Sequence, residues 1–282
     1  MKGSVLTILL FEILKSIALG IVEGITEWLP ISSTGHMILV NELINNHDGF
    51  TASDLYLYVI QLGAILAVVT LYFHKLNPFA PSKSHEEKTA TWQMWFKVIV
   101  ACIPAAVIGL LLDDYMEKIE TWQVVAATLI IYGFAFLVVE NIHRKPTIHS
   151  MDDMTYKTAL LIGLFQVLSI VPGTSRSGAT ILGAMLIGCS RGVAAEFSFF
   201  LAIPVMFGVS ILKIAKNGLA MTGGEWTVLL IGMAVAYVVS MLAIKFLMNY
   251  VRNHDFKLFG WYRIILGILV ILFFSLRMIF GV

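Results

Sequence analysis

A short stretch near the N-terminus, GIVEGITEWLPISSTGH, carries polar side chains within an apolar run. Glu23 and Glu27 are spaced i, i+4, so both carboxylates lie on one face of a helix. Two carboxylates stacked in this way can hold Mg²⁺ or Ca²⁺, which take oxygen ligands, or they can share a proton. The alternative is an ion pair, with Arg176 as the partner of Glu27.

The same stretch continues, after a proline, with hydroxyl groups and an imidazole. Ser32 or Ser33 is the expected N-cap of a second short helix that begins after Pro30. Ser33 and His36 are spaced i, i+3, so their side chains can touch if both face one cavity. Such a pair would activate a serine or position a water. The alternative is that Ser33 only caps the helix and His36 is a buried, hydrogen-bonded histidine.

A second polar break, PGTSRSGAT, interrupts another apolar run. Gly173 lets the backbone approach a ligand closely, and Arg176 presents a planar fork that matches phosphate oxygens. The helix predicted directly after the loop, GATILGAMLIGC, points its positive dipole end at the loop. We therefore predict phosphate binding here, with a capped turn and an Arg176–glutamate pair as the alternative. The predicted phosphate-binding residues are Ser32, Gly173, Thr174, Ser175, Arg176, Ser177 and Thr180.

The whole chain is far more apolar than a soluble domain. Of its 282 residues, 59% are hydrophobic and 13% are charged, and its mean hydropathy is +0.87, whereas soluble domains carry about 25% charged residues. This composition is typical of a polytopic membrane protein. The net charge of +1 gives no basic footprint for nucleic acid. The two cysteines, Cys102 and Cys189, lie in apolar runs and form no CxxC metal motif.

Six segments are long and apolar enough to cross a bilayer as helices, since a spanning helix needs about 20 residues. They are 54–74, 93–112, 121–140, 195–215, 227–248 and 260–280. Two further segments, 8–45 and 157–192, each contain a helix-length apolar run, a polar break and a shorter apolar run. This pattern predicts two re-entrant helical hairpins, because irregular backbone at membrane depth requires surrounding protein or water.

The two halves of the chain resemble each other weakly. LPISSTG is similar to VPGTSRSG, and a shift of 142 residues that places Pro30 on Pro172 also places Ser33 on Ser175. We therefore predict a single all-α integral membrane domain of two repeats, each with one hairpin and three spans. The domain covers residues 1–282, the first repeat 1–140 and the second repeat 150–282.

An odd number of spans in each repeat requires the second repeat to be inverted in the membrane. The connections after the first, third and fifth spans hold most of the lysines and arginines, Arg144 among them, so we place these connections inside. The first hairpin then enters from outside and the second from inside, with both chain ends outside. The hairpin tips meet near the midplane, which brings Ser33 and His36 opposite Arg176 in a polar cavity suited to a lipid-linked diphosphate.

At EGITEWLPISSTGH and PGTSRSGAT the chain closely resembles the undecaprenyl-diphosphate phosphatase family, also called the bacitracin-resistance family. The resemblance covers essentially the whole length and includes DDMTY, from Asp152, and EFSFFLAIP, from Glu196. It implies a bacterial inner-membrane enzyme that removes the terminal phosphate of undecaprenyl diphosphate and needs a divalent cation such as Mg²⁺ or Ca²⁺. It also implies an active site open to the outer face, and family members can be dimeric.

The resemblance also implies roles for particular residues. The family's glutamate pair falls on Glu23 and Glu27. Its serine and histidine fall on Ser33 and His36, and its essential arginine on Arg176. The sequence leaves two routes open: Ser33 attacks phosphorus while His36 moves its proton, or Ser33 orients a water. A lipid flippase or solute transporter is the rival function, because inverted repeats and broken helices fit it equally well.

Overall fold

The computed structural model describes residues 2–142, 145–218 and 220–280, and these residues fold into twelve α-helices joined by turns. The helices are α1 Lys2–Thr26, α2 Ser33–Leu43, α3 Asp54–Val59, α4 Gln61–Leu71, α5 Phe73–Leu76, α6 His85–Ile119, α7 Trp122–Asn141, α8 Tyr156–Val167, α9 Arg176–Ile187, α10 Arg191–Asn217, α11 Gly223–Asn253 and α12 Lys257–Phe280. The all-α prediction is confirmed. Arg144, one of the basic residues used to predict orientation, lies outside the described residues.

All six predicted spans are present as helices long and apolar enough to cross a membrane. They are Asp54–Leu71, His85–Leu112, Trp122–Asn141, Arg191–Lys216, Gly223–Asn253 and Lys257–Phe280. The first of them is built from two helices, α3 and α4, with a break at Ile60. Close to this break α4 meets α11, where a Cβ added to Gly63 would lie 2.2 Å from the Met233 carbonyl oxygen. The protein is therefore a multi-span membrane protein, and the first of its spans is interrupted at Ile60.

The two segments predicted as hairpins are each a pair of helices joined by a polar turn. Residues 27–32 separate α1 from α2, and residues 168–175 separate α8 from α9. In both pairs the second helix packs against the first. In both, the second helix starts from a serine N-cap, so the hydroxyl-rich breaks in the sequence end one helix and begin the next.

Close helix packing sets the position of both turns. α1 packs along α11, α8 along α6, and α7 along α12. A Cβ added to Gly20 would lie 2.7 Å from the Gly232 carbonyl oxygen, and one added to Gly163 would lie 2.2 Å from the Ala101 carbonyl oxygen. Glycine at these contacts therefore lets the helix backbones approach, as small residues do between membrane helices.

The largest buried cluster lies around the turns, whereas the outer surface is apolar. Trp28 and Phe199 are both buried and meet edge to face, with ring centroids 5.5 Å apart. On the outside, large side chains such as Leu111, which is 77% exposed, and Phe207 point away from the protein. An apolar surface of this extent faces lipid.

Candidate active site

We name residues 27–35, the turn after α1, the first tip. Ser32 adopts the left-handed backbone region, with φ 74°. Its hydroxyl oxygen accepts a hydrogen bond from the Gly35 N–H at 3.3 Å. Ser32 is therefore the N-cap of α2, one of the two predicted candidates, and Ser33 is the first residue of the helix.

We name residues 172–178, the turn before α9, the second tip. Ser175 has φ 73°, and its hydroxyl oxygen accepts a hydrogen bond from the Gly178 N–H at 3.1 Å. The helix therefore begins at Arg176, two residues earlier than the sequence predicted. The second tip repeats the capping geometry of the first.

The caps correct the predicted register between the two tips. The shift of 142 residues paired Ser33 with Ser175, but the matched caps pair Ser32 with Ser175. The second tip has one additional residue after its proline, and Gly173 there takes φ 84°, a conformation that favours glycine. Ser33 therefore stands in the first tip where Arg176 stands in the second.

Arg176 joins the second tip to the first. Its Nη2 and Nε donate to Glu27 Oε1 at 3.0 and 3.3 Å, and its Nη1 donates to the Ser198 carbonyl oxygen at 2.7 Å. The side chains of Arg176 and Glu27 are 9% and 10% exposed, and the guanidinium lies 5.8 Å from the Trp28 ring centroid. The ion pair that the sequence left as the alternative is present, and it unites the two tips in one site.

No hydrogen bond joins Ser33 to His36 among the described residues, and each side chain has another partner. The Ser33 hydroxyl donates to Glu27 Oε2 at 3.0 Å. His36 Nδ1 lies 2.7 Å from the Ser32 carbonyl oxygen, which can only accept, so Nδ1 carries a proton. Nε2 lies 2.7 Å from the Tyr262 hydroxyl, which donates to it when the ring is neutral. The capped turn directs Ser33 to Glu27 and the imidazole to α12.

Glu23 lies one helical turn before Glu27 and is 2% exposed. Its Oε1 atom is buried without a hydrogen-bond partner among the described residues. A buried carboxylate oxygen without a donor suits a cation such as Mg²⁺ or Ca²⁺. The described ranges contain no cluster of three or more His, Cys, Asp or Glu side chains. The two glutamates therefore offer carboxylate oxygens of the kind that such a cation takes.

Two of the predicted phosphate-binding hydroxyls, those of Ser177 and Thr180, are buried. The Ser177 hydroxyl lies 3.1 and 3.2 Å from the carbonyl oxygens of Glu27 and Leu29. The Thr180 hydroxyl lies 2.7 Å from the Ser198 hydroxyl. Both hydroxyls have protein partners, so in this arrangement they hold the two tips and α10 together.

Comparison with known protein families identifies the chain. Residues 16–269 match the family described as "Bacitracin resistance protein BacA", and this range includes both tips. The chain belongs to this family. The resemblance drawn from the sequence motifs is thereby confirmed.

Relatives of this BacA-family chain are similar over nearly its whole length. A protein named undecaprenyl-diphosphatase from Lactobacillus delbrueckii subsp. bulgaricus is 58% identical over 267 residues, which is 93% of this chain and 97% of the relative. One of the same name from Desulfitobacterium hafniense is 58% identical over 276 residues, 96% and 99% of the two chains. Another from Streptococcus thermophilus is 54% identical over 278 residues, 96% of each.

Three residues of this BacA-family site were not predicted. Ser198 of α10 accepts hydrogen bonds from the second tip, and Tyr262 and Arg263 of α12 reach His36 and the backbone of the tips. Arg263 carried a usable signal, because an arginine inside an apolar span is usually functional. Ser198 and Tyr262 gave little signal in the sequence, since serine and tyrosine are ordinary residues of membrane helices.

Proposed function

We propose that this protein hydrolyses undecaprenyl diphosphate to undecaprenyl phosphate and inorganic phosphate. The reaction recycles the lipid carrier for cell-wall synthesis and confers bacitracin resistance, in line with the family description and the names of the relatives. The observation that carries the proposal is the chain of contacts from Arg176 through Glu27 to Ser33. These contacts place the positively charged guanidinium of Arg176, the carboxylate of Glu27 and the hydroxyl of Ser33 side by side in a buried site.

The diphosphate is held where two helix N-termini meet. α2 begins at Ser33 and α9 at Arg176, and helix N-termini favour anions through their N–H groups and dipoles. Arg176 exchanges part of its contact with Glu27 for phosphate oxygens, whose geometry matches the guanidinium fork. The prenyl tail stays in the bilayer beside the apolar outer surface.

Glu27 is positioned to take the proton of Ser33, whose hydroxyl donates to it at 3.0 Å. As Ser33 Oγ bonds to the terminal phosphorus, the bond from that phosphorus to the bridging oxygen breaks. Undecaprenyl phosphate leaves with the electron pair, and the hydroxyl proton passes to Glu27. A water then attacks the phosphoserine, the Oγ–P bond breaks, and Ser33 regains a proton.

A water oriented by Ser33 is the second route, and it forms no phosphoserine. His36 serves either route through Nε2, which faces the hydroxyl of the partly exposed Tyr262. From there it exchanges protons with water or the leaving group. Trapping a phosphorylated Ser33 during turnover would establish the covalent route. Substantial turnover by Ser33→Ala would exclude an obligatory serine nucleophile.

Glu23 and Glu27 are the residues that would hold the divalent cation, Mg²⁺ or Ca²⁺. Arg176 already pairs with Glu27, so a diphosphate needs further positive charge at the site. When bound, the cation supplies charge that stabilises the transferring phosphoryl group. Glu23 keeps a carboxylate oxygen available for it. Removal of divalent cations with EDTA should abolish turnover, and added MgCl₂ or CaCl₂ should restore it.

We further propose that segments 8–45 and 157–192 are re-entrant hairpins of two inverted repeats, 1–140 and 150–282. The caps of the two tips support this, since their φ values are 74° and 73°. The helix contacts support it as well. α1 of the first repeat packs along α11 of the second, α8 of the second packs along α6 of the first, and α7 packs along α12. If the two repeats are exchanged, α1 takes the place of α8, α6 that of α11 and α7 that of α12. The same three helix pairs then result.

Ion pairs at the two ends of α10 give the same support. Lys213, near the end of α10, lies 3.6 Å from Asp54 at the start of α3. Lys75, in α5 just after the first span, lies 2.7 Å from Glu196 near the start of α10. Each lysine also lies over an aromatic ring, at 4.7 and 5.8 Å from the centroid. These rings belong to Tyr58 and Phe200. The first span and α10 therefore run antiparallel, as inversion requires.

The proposed location is the bacterial inner membrane, with the site open to the outer face. The distribution of lysine and arginine among the connections supports this orientation. A membrane-impermeant maleimide should label a cysteine at exposed Asp48 in intact cells, and a cysteine at exposed Lys145 only after lysis. The opposite pattern would reverse the orientation. A homodimer is proposed from the family resemblance alone, and the molar mass of the purified protein in detergent tests it.

Phosphate release by the purified full-length protein tests the proposed function. With undecaprenyl diphosphate and Mg²⁺ in detergent, we expect release by the wild type and by Arg252→Lys, an exposed arginine at the end of α11. We expect little release by Glu27→Gln. The antiparallel spans and exchanged contacts also fit a lipid flippase. If labelled lipid moved between vesicle leaflets without any phosphate release, the protein would be a lipid transporter and the proposed hydrolysis would be wrong.

A further inference from the structure

One buried charge beside the tips takes no part in the reaction described above. Arg263 of α12 is 0% exposed. Its guanidinium lies 5.6 Å from the Tyr132 ring centroid. Among the residues that the structure describes, no carboxylate lies within ion-pair distance of it. A buried charge without a counter-ion is costly to maintain in a membrane protein, which indicates a role beyond packing.

The guanidinium of Arg263 holds the backbone of both tips at once. Nη1 donates to the Pro30 carbonyl oxygen of the first tip at 3.2 Å. Nη2 donates to the carbonyl oxygens of Gly173 and Thr174 in the second tip at 3.0 and 2.9 Å. These carbonyl groups come just before the two serine N-caps. A single side chain therefore fixes where each helix begins relative to the other.

The surroundings of Arg263 suit a rigid support. Ser32 and Ser175 both hold a positive φ, and a non-glycine residue keeps that conformation only where its surroundings fix it. Helix α12 is itself held closely against α7, since a Cβ added to Gly133 would lie 2.8 Å from the Gly260 carbonyl oxygen. A Cβ added to Gly178 would lie 3.2 Å from Arg263 Nη1, so the guanidinium packs tightly under the start of α9.

We propose that Arg263 is the positioning residue that fixes the distance between Ser33 and Arg176. It thereby sets the reacting hydroxyl relative to the phosphate-binding guanidinium, and this inference rests on the proposed hydrolysis. A displacement of about 1 Å at reacting groups costs on the order of 10²-fold in rate. The charge of Arg263 also favours an anion next to both tips. Lysine would keep this charge but lose the fork that reaches both tips.

The test compares Arg263→Lys and Arg263→Gln with the control Arg252→Lys, in full-length protein purified in detergent. kcat and KM for undecaprenyl diphosphate at saturating Mg²⁺ are measured together with the melting temperature. For Arg263→Lys we expect kcat to fall about tenfold or more, with KM within about threefold of wild type. We expect Arg263→Gln to be slower still, and Arg252→Lys to match the wild type.

A double variant separates positioning from general damage to the fold. If Arg263 acts by placing Arg176, Arg263→Lys combined with Arg176→Lys should be about as slow as the slower single variant. If the fold-losses in kcat of the two single variants instead multiplied in the double variant, the proposal would be overturned. An Arg263→Lys kcat within about twofold of wild type would overturn it too. Failure of both Arg263 variants to purify as folded protein would also overturn it, since Arg263 would then serve the fold. A wild type without phosphate release would overturn the proposed hydrolysis, and this inference with it.

Discussion

The two tips have the same capped backbone and opposite charge. In each, a serine with positive φ caps a helix whose third residue after the cap is a glycine. The first tip places Ser33 at the start of its helix and contains Glu27, one helical turn after Glu23, whereas the second places Arg176 there. The shift of 142 residues puts Phe165 and Ser169 where the first half has its two glutamates, so the second tip has no counterpart of the carboxylates.

This difference suggests how a repeated structure becomes an asymmetric site. The shared backbone gives two helix N-termini that both favour an anion. In the proposed mechanism, the second tip binds the phosphate with Arg176. The first tip and the preceding turn of α1 supply the hydroxyl and the carboxylates that would hold the cation. The ion pair between Glu27 and Arg176 links the two roles across the tips.

The largest effect should come from the arginine of the second tip. Arg176→Lys keeps the charge opposite Glu27, so the fold should persist, but it loses the bidentate fork. We expect kcat/KM for undecaprenyl diphosphate to fall on the order of 10³-fold, as for loss of a principal donor to developing charge. Steady-state phosphate release checks this, with Arg252→Lys as the control. A loss below about tenfold would show that the second tip is not the principal phosphate clamp.

The residue at the matching position of the first tip should come next. Ser33→Ala removes the hydroxyl that donates to Glu27 while leaving the Ser32 cap intact. We expect kcat to fall about 10²-fold or more if Ser33 attacks phosphorus. The neighbouring Thr34→Ala serves as the control and should keep most of the activity. Rapid acid quench during wild-type turnover should also yield phosphoserine at position 33. Its absence, with a small loss in Ser33→Ala, would favour attack by water.

Glu27 of the first tip and Glu23, one helical turn before it, should differ in how their substitution changes the dependence of the rate on Mg²⁺. Glu23→Gln should raise the Mg²⁺ concentration for half-maximal rate about tenfold, since Glu23 has the free carboxylate oxygen. Glu27→Gln should instead lower kcat even at saturating Mg²⁺, because it also loses the acceptor for Ser33. A Mg²⁺ titration of phosphate release measures both. Identical titration curves for wild type and Glu23→Gln would remove Glu23 from the cation site.

The smallest effect, and an equal one at both tips, should come from the caps. Ser32→Ala and Ser175→Ala each remove one side-chain acceptor of a helix N–H, which costs about 1 kcal/mol of stability. Melting temperatures in detergent should fall by similar amounts for the two variants. If only one of them lowered the melting temperature, the structural equivalence of the two tips would be broken.

The spans were predictable because bilayer thickness sets their length and apolarity. All six were found from composition along the chain. The break at Ile60 was not, since it accompanies the close contact of Gly63 with Met233 in another helix, which local sequence does not encode. The mean hydropathy of a sequence window does not report contacts between residues that are far apart in the chain.

The site was predictable where a polar side chain is costly in a membrane. Glu27 and Arg176 were found by this argument, and the structure brings them into contact. The register between the tips and the contacts of His36 were not found, because both depend on the positive φ of Ser32 and Ser175. Spacing along an ideal helix cannot reveal a capped turn.

The central claim is that the two tips form one site through Glu27 and Arg176. Phosphate release by four proteins tests it most directly: wild type, Glu27→Gln, Arg176→Lys and the combination of the two. If the residues act as a unit, the double variant should be about as slow as the slower single variant. Losses that multiply would mean that the two tips act independently, and would contradict a single site.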